Sequence, residues 1–387
     1  MVGNVSTVCR VVLVVIFSWV LAGLSGCKPE MLTSPIPSPF TVASLPIGAA
    51  GIGDDRQLFA NHLAAELARS PMGRASSVQA WIHWPEQAVA GPTSEVSLRG
   101  VSVLVIPGIF GDCVADQSLP FSDGTTRTPV RNLTEGYTYL ASLGLRRVRA
   151  VAVGGRVSSM TNGMTIADAI RQEAMDPAVL RIVVVGYSKG AADTLEALAQ
   201  LGNRGLPRKP LSFVSLSGVV MGTPLADTHD DLYKKLASRF NGLQCTPSDG
   251  HEVTSLTRRE RVRWLANHPR LPEVNSYTVL AYTAAEDVSP GLRPFYERLA
   301  RVDPRNDGQM LAAEAVLPGS TLLAEVKSDH WTYVLPLRDH PNVLVRGAAA
   351  NRSFPRAAFF RALLRTVVEL DEARQRRNDL AVSQRKL

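Results

Sequence analysis

Apolar and polar positions along the chain follow two alternating periods. Ser97–Ile106 (SLRGVSVLVI) ends in an unbroken apolar run, and so does Leu180–Val185 (LRIVVV). Short runs rich in β-branched residues predict strands covered on both faces. Val148–Val153, Leu211–Ser217, Ser276–Tyr282 and Thr321–Val326 read as further strands, and Val78–Trp84 alternates as a half-buried strand does. Helical spacing appears in RQLFANHLAAELARS behind an Asp54/Asp55 cap, then in Thr134–Leu143, Met164–Met175, Lys189–Leu201 and Phe354–Glu369. Strands alternating with helices predict right-handed crossovers and a mainly parallel sheet, with chemistry gathered at the carboxyl ends of its strands. From Gly222 to Pro272 this rhythm lapses. Within that stretch Tyr233–Phe240 has the pattern of an amphipathic helix, and Trp264-Leu265 is an apolar anchor.

Composition agrees with a packed α/β protein. Of 387 residues, 45% are apolar and 20% charged, too apolar for a disordered chain. The 29 Gly and 25 Pro show no collagen period, and four cysteines are too few for a disulfide scaffold. No Cys-x-x-Cys or His-Glu-x-x-His pattern occurs. The net charge is +7, and its densest stretch is Arg258-Arg259-Glu260-Arg261-Val262-Arg263. The interleaved Glu and the Trp-Leu that follows read as the outer face of an amphipathic helix. With no recognition motif beside it, this charge predicts no nucleic-acid partner.

Val11 to Leu24 is almost wholly apolar and falls short of the ~20 residues that span a bilayer, as the core of an export signal does. It ends in Leu24-Ser25-Gly26-Cys27, which resembles the lipobox of bacterial lipoproteins. That resemblance implies cleavage before Cys27, lipidation of Cys27, and membrane attachment in the cell envelope. Lys28 behind the cysteine resembles the sorting signal of outer-membrane lipoproteins. The expected layout is a signal peptide over 1–26 and a Pro/Ser-rich tether over 27–53. A main folded domain over 54–375 carries an insertion at about 222–272, and a tail covers 376–387. In an oxidising compartment Cys113 and Cys245 either form a bridge or sit apart as small apolar side chains.

Gly186-Tyr187-Ser188-Lys189-Gly190 lies between LRIVVV and the helical AADTLEALAQL. A G-x-S-x-G motif set between a buried strand and a helix is a nucleophile elbow. The sharp turn lifts the serine Oγ to the top of the sheet, and glycines on either side avoid clashes. A helix amino terminus behind the serine favours developing negative charge.

With this motif in its strand–helix context, the chain from about Val101 to Leu370 resembles the α/β-hydrolases, specifically bacterial lipases and esterases. In those enzymes one oxyanion-hole amide follows a His-Gly pair after an earlier strand. Here the segment is Val105-Ile106-Pro107-Gly108-Ile109-Phe110-Gly111, with Pro107 in the histidine's place. The resemblance implies Ile109, or its neighbour Phe110, as one donor and Lys189 as the other. Two amides are required because the attacked carbonyl oxygen gains nearly a full charge. The Lys189 side chain either attracts anionic substrates or points to solvent.

Serine needs a base, and in this fold the partners follow in the order Ser, acid, His. His330 follows the last strand, where the base belongs, whereas His229, His251 and His268 come too early and His340 lies further on. For the acid, Asp307 in Asn306-Asp307-Gly308 resembles the turn bearing the lipase aspartate. Asp287 stands where a generic hydrolase places its acid, and Asp329 adjoins His330. The insertion is either a mobile lid over an acyl groove or a static wall. The resemblance implies a serine hydrolase acting on carboxylic esters with no metal or organic cofactor. A thioesterase or acyltransferase would use the same residues, and a non-catalytic envelope lipoprotein is the reading from a different class.

Overall fold

The computed structural model describes residues 51–70, 77–84, 96–109, 111, 143–228, 246–268, 274–340 and 343–384. In chain order the main elements are β1 (Gly53–Asp54), α1 (Arg56–Arg69), β2 (Val101–Ile106), β3 (Arg147–Ala150), α2 (Ser159–Met175), β4 (Arg181–Tyr187) and α3 (Lys189–Gly205). They continue as β5 (Leu211–Leu216), α4 (Arg258–Asn267), β6 (Asn275–Tyr282), α5 (Arg293–Leu299), β7 (Thr321–Lys327), α6 (Val343–Ala348) and α7 (Arg356–Gln384). The strands form one seven-stranded sheet in the order β1-β7-β6-β5-β4-β2-β3, and every neighbouring pair runs parallel.

The apolar runs recognised in the sequence form the middle of this sheet. Strands β2, β4 and β5 are buried at every position. Their side chains alternate between two cores, as the two-residue pleat dictates. Val103, Val105, Val183 and Val185 join Phe59, Leu63, Phe359 and Leu363 on the face covered by α1 and α7. Leu104, Ile106, Ile182 and Val184 join Ile166, Ile170, Leu195 and Leu198 on the face covered by α2 and α3. On the first face the Phe59 and Phe359 rings meet edge to face, 5.1 Å between centroids. Two helical layers around a parallel sheet are the α/β-hydrolase architecture expected from the sequence.

Several local expectations change. Val78–Trp84 is not a strand. Val78–Ala80 forms a 3-10 turn, and Ile82 makes one isolated antiparallel bridge to Val326. Its alternation arises because Val78, Trp81 and Ile82 all turn into the first core. Helix α2 begins at Ser159, earlier than its apolar spacing suggests, because the Ser158 hydroxyl accepts the Thr161 amide. Before α1 it is Asp54, not the N-cap residue Asp55, whose side chain accepts the Arg56 amide. Helix α7 runs to Gln384, well beyond Glu369 and into the residues expected as a tail. The basic stretch at 258–263 forms α4, but not with all its arginines outward: Arg258 and Arg261 are buried. Cys27, Phe110, Cys113, Cys245 and the expected helices Thr134–Leu143 and Tyr233–Phe240 lie wholly or nearly so outside the described residues. Among the described residues no helix is long and apolar enough to cross a membrane.

Candidate active site

Strand β4 ends at Tyr187 and α3 begins at Lys189, so Ser188 alone makes the turn. Its φ of 55° and ψ of −123° lie in a region that L-residues rarely occupy. The surroundings hold it there. The Ser188 amide donates to the Leu216 carbonyl at 3.0 Å, and the Ser188 carbonyl accepts the amides of Ala191 and Val219, each at 3.1 Å. Such strain persists only where neighbours over-determine the backbone, and it concentrates at functional positions.

The motif glycines are required by backbone proximity. A Cβ on Gly190 would lie 2.3 Å from the Ile106 carbonyl oxygen and 2.6 Å from that of Pro107. One on Gly186 would lie 2.8 Å from the Ala191 Cα. Gly190 brings the end of β2 against the first turn of α3, and Gly186 lets that turn pack on the end of β4. Gly108 lies so close that its Cβ would stand 3.5 Å from Ser188 Oγ. Ile109, the next residue, is partly buried against a small apolar cluster that includes Ala192, Val219 and Met310. First-turn amides of a helix have no partner inside it, so the Lys189 amide beside the serine is available to an oxyanion.

His330 lies in the loop after β7, buried to 3% exposure. Its Nδ1 is 2.7 Å from Asp307 Oδ2, and its backbone amide donates to the Asp307 carbonyl at 2.8 Å. Nδ1 facing a carboxylate carries the proton, which leaves Nε2 as the acceptor. The other carboxylate oxygen of Asp307 accepts the amides of Gln309, at 2.9 Å, and Met310, at 2.7 Å. Asp307 is fully buried in this turn. The ring of Tyr187, the residue before the serine, lies 4.9 Å from the His330 ring, and its hydroxyl donates to the His330 carbonyl at 2.8 Å. Burial raises the Tyr187 hydroxyl well above its ordinary pKa, so it remains a donor.

Asp287 is not part of this cluster. It ends a 3-10 turn with its side chain 45% exposed, 3.5 Å from Arg352. Asp329 is buried but turned to the backbone, where it accepts the amides of Ser289 (2.6 Å), Trp331 (3.1 Å) and Thr332 (2.7 Å). It shapes the loop that carries His330.

Lys189 corrects both expectations for its side chain, which neither reaches solvent nor faces a substrate. It is 1% exposed, and Nζ lies 2.7 Å from both oxygens of Asp193 one helical turn on. Asp193 also accepts Asn162 Nδ2 at 2.7 Å, and Asn162 bonds both backbone groups of Gly154. The i,i+4 spacing of Lys189 and Asp193 is the signal that would have found this pair. Neither Tyr187 nor Ser217 carried a comparable signal. Ser217 has a φ of 39° and accepts the buried Tyr333 hydroxyl at 2.8 Å.

The 222–272 stretch joins this centre through a buried charged cluster. The Thr223 hydroxyl donates to the Gln309 carbonyl at 2.7 Å, next to the Asp307 turn. Arg258 bonds Asp227 at 2.6 Å and lies 3.8 Å from Glu314. Both Glu314 oxygens are buried without a hydrogen bond, and burial pushes its pKa up to about 8. Arg261 enters the interior beneath α3, bonding the Val220 carbonyl at 3.2 Å and facing Glu196 at 4.0 Å. Burial pulls its pKa down to about 10.

A parallel sheet with a strained serine at the β4–α3 turn and a carboxylate-bound histidine after β7 defines a class of protein. The chain belongs to the α/β-hydrolase superfamily. It is similar to the metagenomic carboxyl esterase MGS0156, at 31% identity over 91% of this chain and 99% of that one, with a TM-score of 0.70. It also matches the Bacillus licheniformis lipase BlEst2 at 17% identity, over 66% of this chain and 91% of that one, TM-score 0.44. A third match is the thioesterase RedJ of Streptomyces coelicolor, at 16% identity over 73% of this chain and 92% of that one, TM-score 0.34. No protein-family profile matches the chain, and no curated protein does.

Proposed function

We propose that the chain is a serine hydrolase of carboxylic esters, with Ser188, His330 and Asp307 as its triad. The observation that carries this reading is the Asp307-bound imidazole of His330, clasped by the residue next to a serine in strained backbone geometry. Ser188 Oγ attacks the acyl carbon while His330 Nε2 takes its proton. Asp307 holds the imidazole in the required tautomer and stabilises the imidazolium that forms. The Ile109 and Lys189 amides receive the oxyanion, where each donor is worth about 3–4 kcal/mol of barrier. His330 then returns the proton to the leaving alcohol. A water molecule, deprotonated by the same imidazole, releases the acyl group from Ser188. The Cys27 lipobox adds the proposal that the enzyme is lipid-anchored in a bacterial envelope.

A fluorophosphonate probe tests the reactive serine: labelling of the wild type and none of Ser188→Ala is expected. An unreactive wild type would favour the non-catalytic envelope lipoprotein. p-Nitrophenyl esters of increasing chain length, beside matched thioesters, then separate lipase, short-chain esterase and thioesterase. Incorporation of labelled palmitate that disappears in Cys27→Ser tests the anchor.

A further inference from the structure

Ser188 lies at the carboxyl end of the sheet, and the opposite end carries a different chemistry. Because all strands run parallel, their first residues and the loops before them share one edge. Arg99 precedes β2, and Arg208 precedes β5. Arg204 lies in the last turn of α3, and Arg374 and Arg377 lie on α7 where it passes the start of β6. Among the described residues none of these five arginines is ion-paired. Arg374 bonds only neutral oxygens, Asn275 Oδ1 at 2.9 Å and Thr321 Oγ1 at 2.8 Å.

The carboxylates at this end are largely engaged. Asp371 takes Arg181, Ser212, Asn275 and Tyr277, while Asp176 takes Arg146 and Arg147. Glu372 pairs with Arg376, which leaves Asp379 and the half-buried Asp55 beside the free arginines. Two hollows open on this edge. One of 290 Å³ lies between Arg181, Arg374 and Arg377, and one of 430 Å³ lies between Arg99, Arg146 and Leu180. Large apolar side chains stand out among the cations: Met175 is 74% exposed, Leu180 61%, Leu380 63% and Val382 54%. Beyond the buried Asp371, α7 continues for about 20 Å at 1.5 Å per residue.

We propose that this end of the sheet docks on a membrane surface containing anionic phospholipids. Arginines left without carboxylates are the complement of lipid phosphates, and apolar side chains among them insert at the acyl boundary. The chain also enters the fold here: Gly53 pairs with Thr321, the residue that holds Arg374, so the polypeptide coming from Cys27 joins at the basic end. Docked this way, the enzyme turns Ser188 away from the membrane that holds it.

Hydrogen exchange on the full chain tests this, bound to vesicles of phosphatidylcholine alone and of phosphatidylcholine with phosphatidylglycerol. Amides around Leu180, Lys209 and 375–382 are expected to slow at least about fivefold on the anionic vesicles, and to recover in about 0.5 M salt. The slowing vanishes in the Arg99→Glu, Arg208→Glu, Arg377→Glu triple variant, whose unfolding midpoint stays at the wild-type value. Equal exchange on both vesicle types overturns the proposal, as does slowing that appears around Met160 and Val343 instead. Slowing that grows with protein concentration in the absence of vesicles assigns this face to a second copy of the chain and also overturns it.

Discussion

His330 and Asp307 are joined twice, by the 2.7 Å contact of Nδ1 with Oδ2 and by the 2.8 Å bond from the His330 amide to the Asp307 carbonyl. The backbone bond fixes the loop and the side-chain bond fixes the ring, so the orientation of the imidazole does not depend on either alone.

Asp307→Asn therefore separates position from tautomer. The main-chain bond survives, but the carboxamide can no longer hold a proton on Nδ1 against an anion. Turnover of a p-nitrophenyl ester is expected to fall about 10⁴-fold. Asp287→Asn, exposed beside Arg352, stays within about twofold of wild type. A large loss from the Asp287 change alone would move the acid there.

Gly190→Ala places a methyl group 2.3 Å from one backbone carbonyl oxygen and 2.6 Å from another. Neither carbonyl can rotate away, so the variant is expected to lose at least about 3 kcal/mol or to accumulate as insoluble protein. Gly202→Ala supplies the comparison. Nothing lies within 4 Å of its Cβ, so its cost is that of the backbone alone: φ 53° with ψ 177° is a region almost confined to glycine, worth about 1–3 kcal/mol. Denaturant titration ranks the two.

Lys189→Met strands a buried carboxylate. Both partners of the pair are 1% exposed, and removing one side of such a pair costs about 3–5 kcal/mol. Lys189→Met combined with Asp193→Leu should cost less than the two single changes added together. Urea unfolding of all four proteins of the cycle gives the coupling, and simple additivity would deny the pair its structural role.

Glu314 predicts a pH dependence of stability. The unfolded chain releases this proton near 4.5, whereas the folded chain holds it until about 8. Between those values the folded state binds more protons, so this group's contribution makes stability fall as pH rises, levelling off above about 8. Glu314→Gln keeps the shape and removes the titration. It is expected to stabilise the protein at pH 7 by on the order of 3 kcal/mol, with no gain at pH 4. Thermal unfolding midpoints of both proteins across this range check the slope.

The parts of the fold visible in the sequence are those where one local rule dominates. Apolar runs mark β2 and β4 because burial on both faces leaves few polar positions, Ser102 and Arg181, to confuse the period. The elbow was legible because a turn that tight admits only glycine at Gly186 and Gly190. The 2.7 Å contact between His330 and Asp307 joins a histidine singled out by chain order to an aspartate singled out by the likeness of its Asn-Asp-Gly turn to that of lipases. What stayed hidden depends on contacts distant in sequence. Arg258 and Arg261 read as a solvent face, yet Asp227, Glu196 and Glu314 draw them inward across the fold. Val78–Trp84 imitated a strand because a 3-10 turn can also direct its apolar side chains to one core. The fate of the Lys189 side chain rested on an acid in its own helix and an asparagine from the neighbouring one.

The second letter of G-x-S-x-G is conventionally a wildcard, and in this chain Tyr187 fills it with an anchor for the loop that carries His330. A mutagenesis library that randomises this position to broaden substrate range would mostly return dead clones. Phenylalanine preserves the ring and forfeits only the hydroxyl's grip. The freedom an engineer wants is better sought on the loop side, around Ile109, whose proposed part needs only its backbone amide and whose side chain is partly buried.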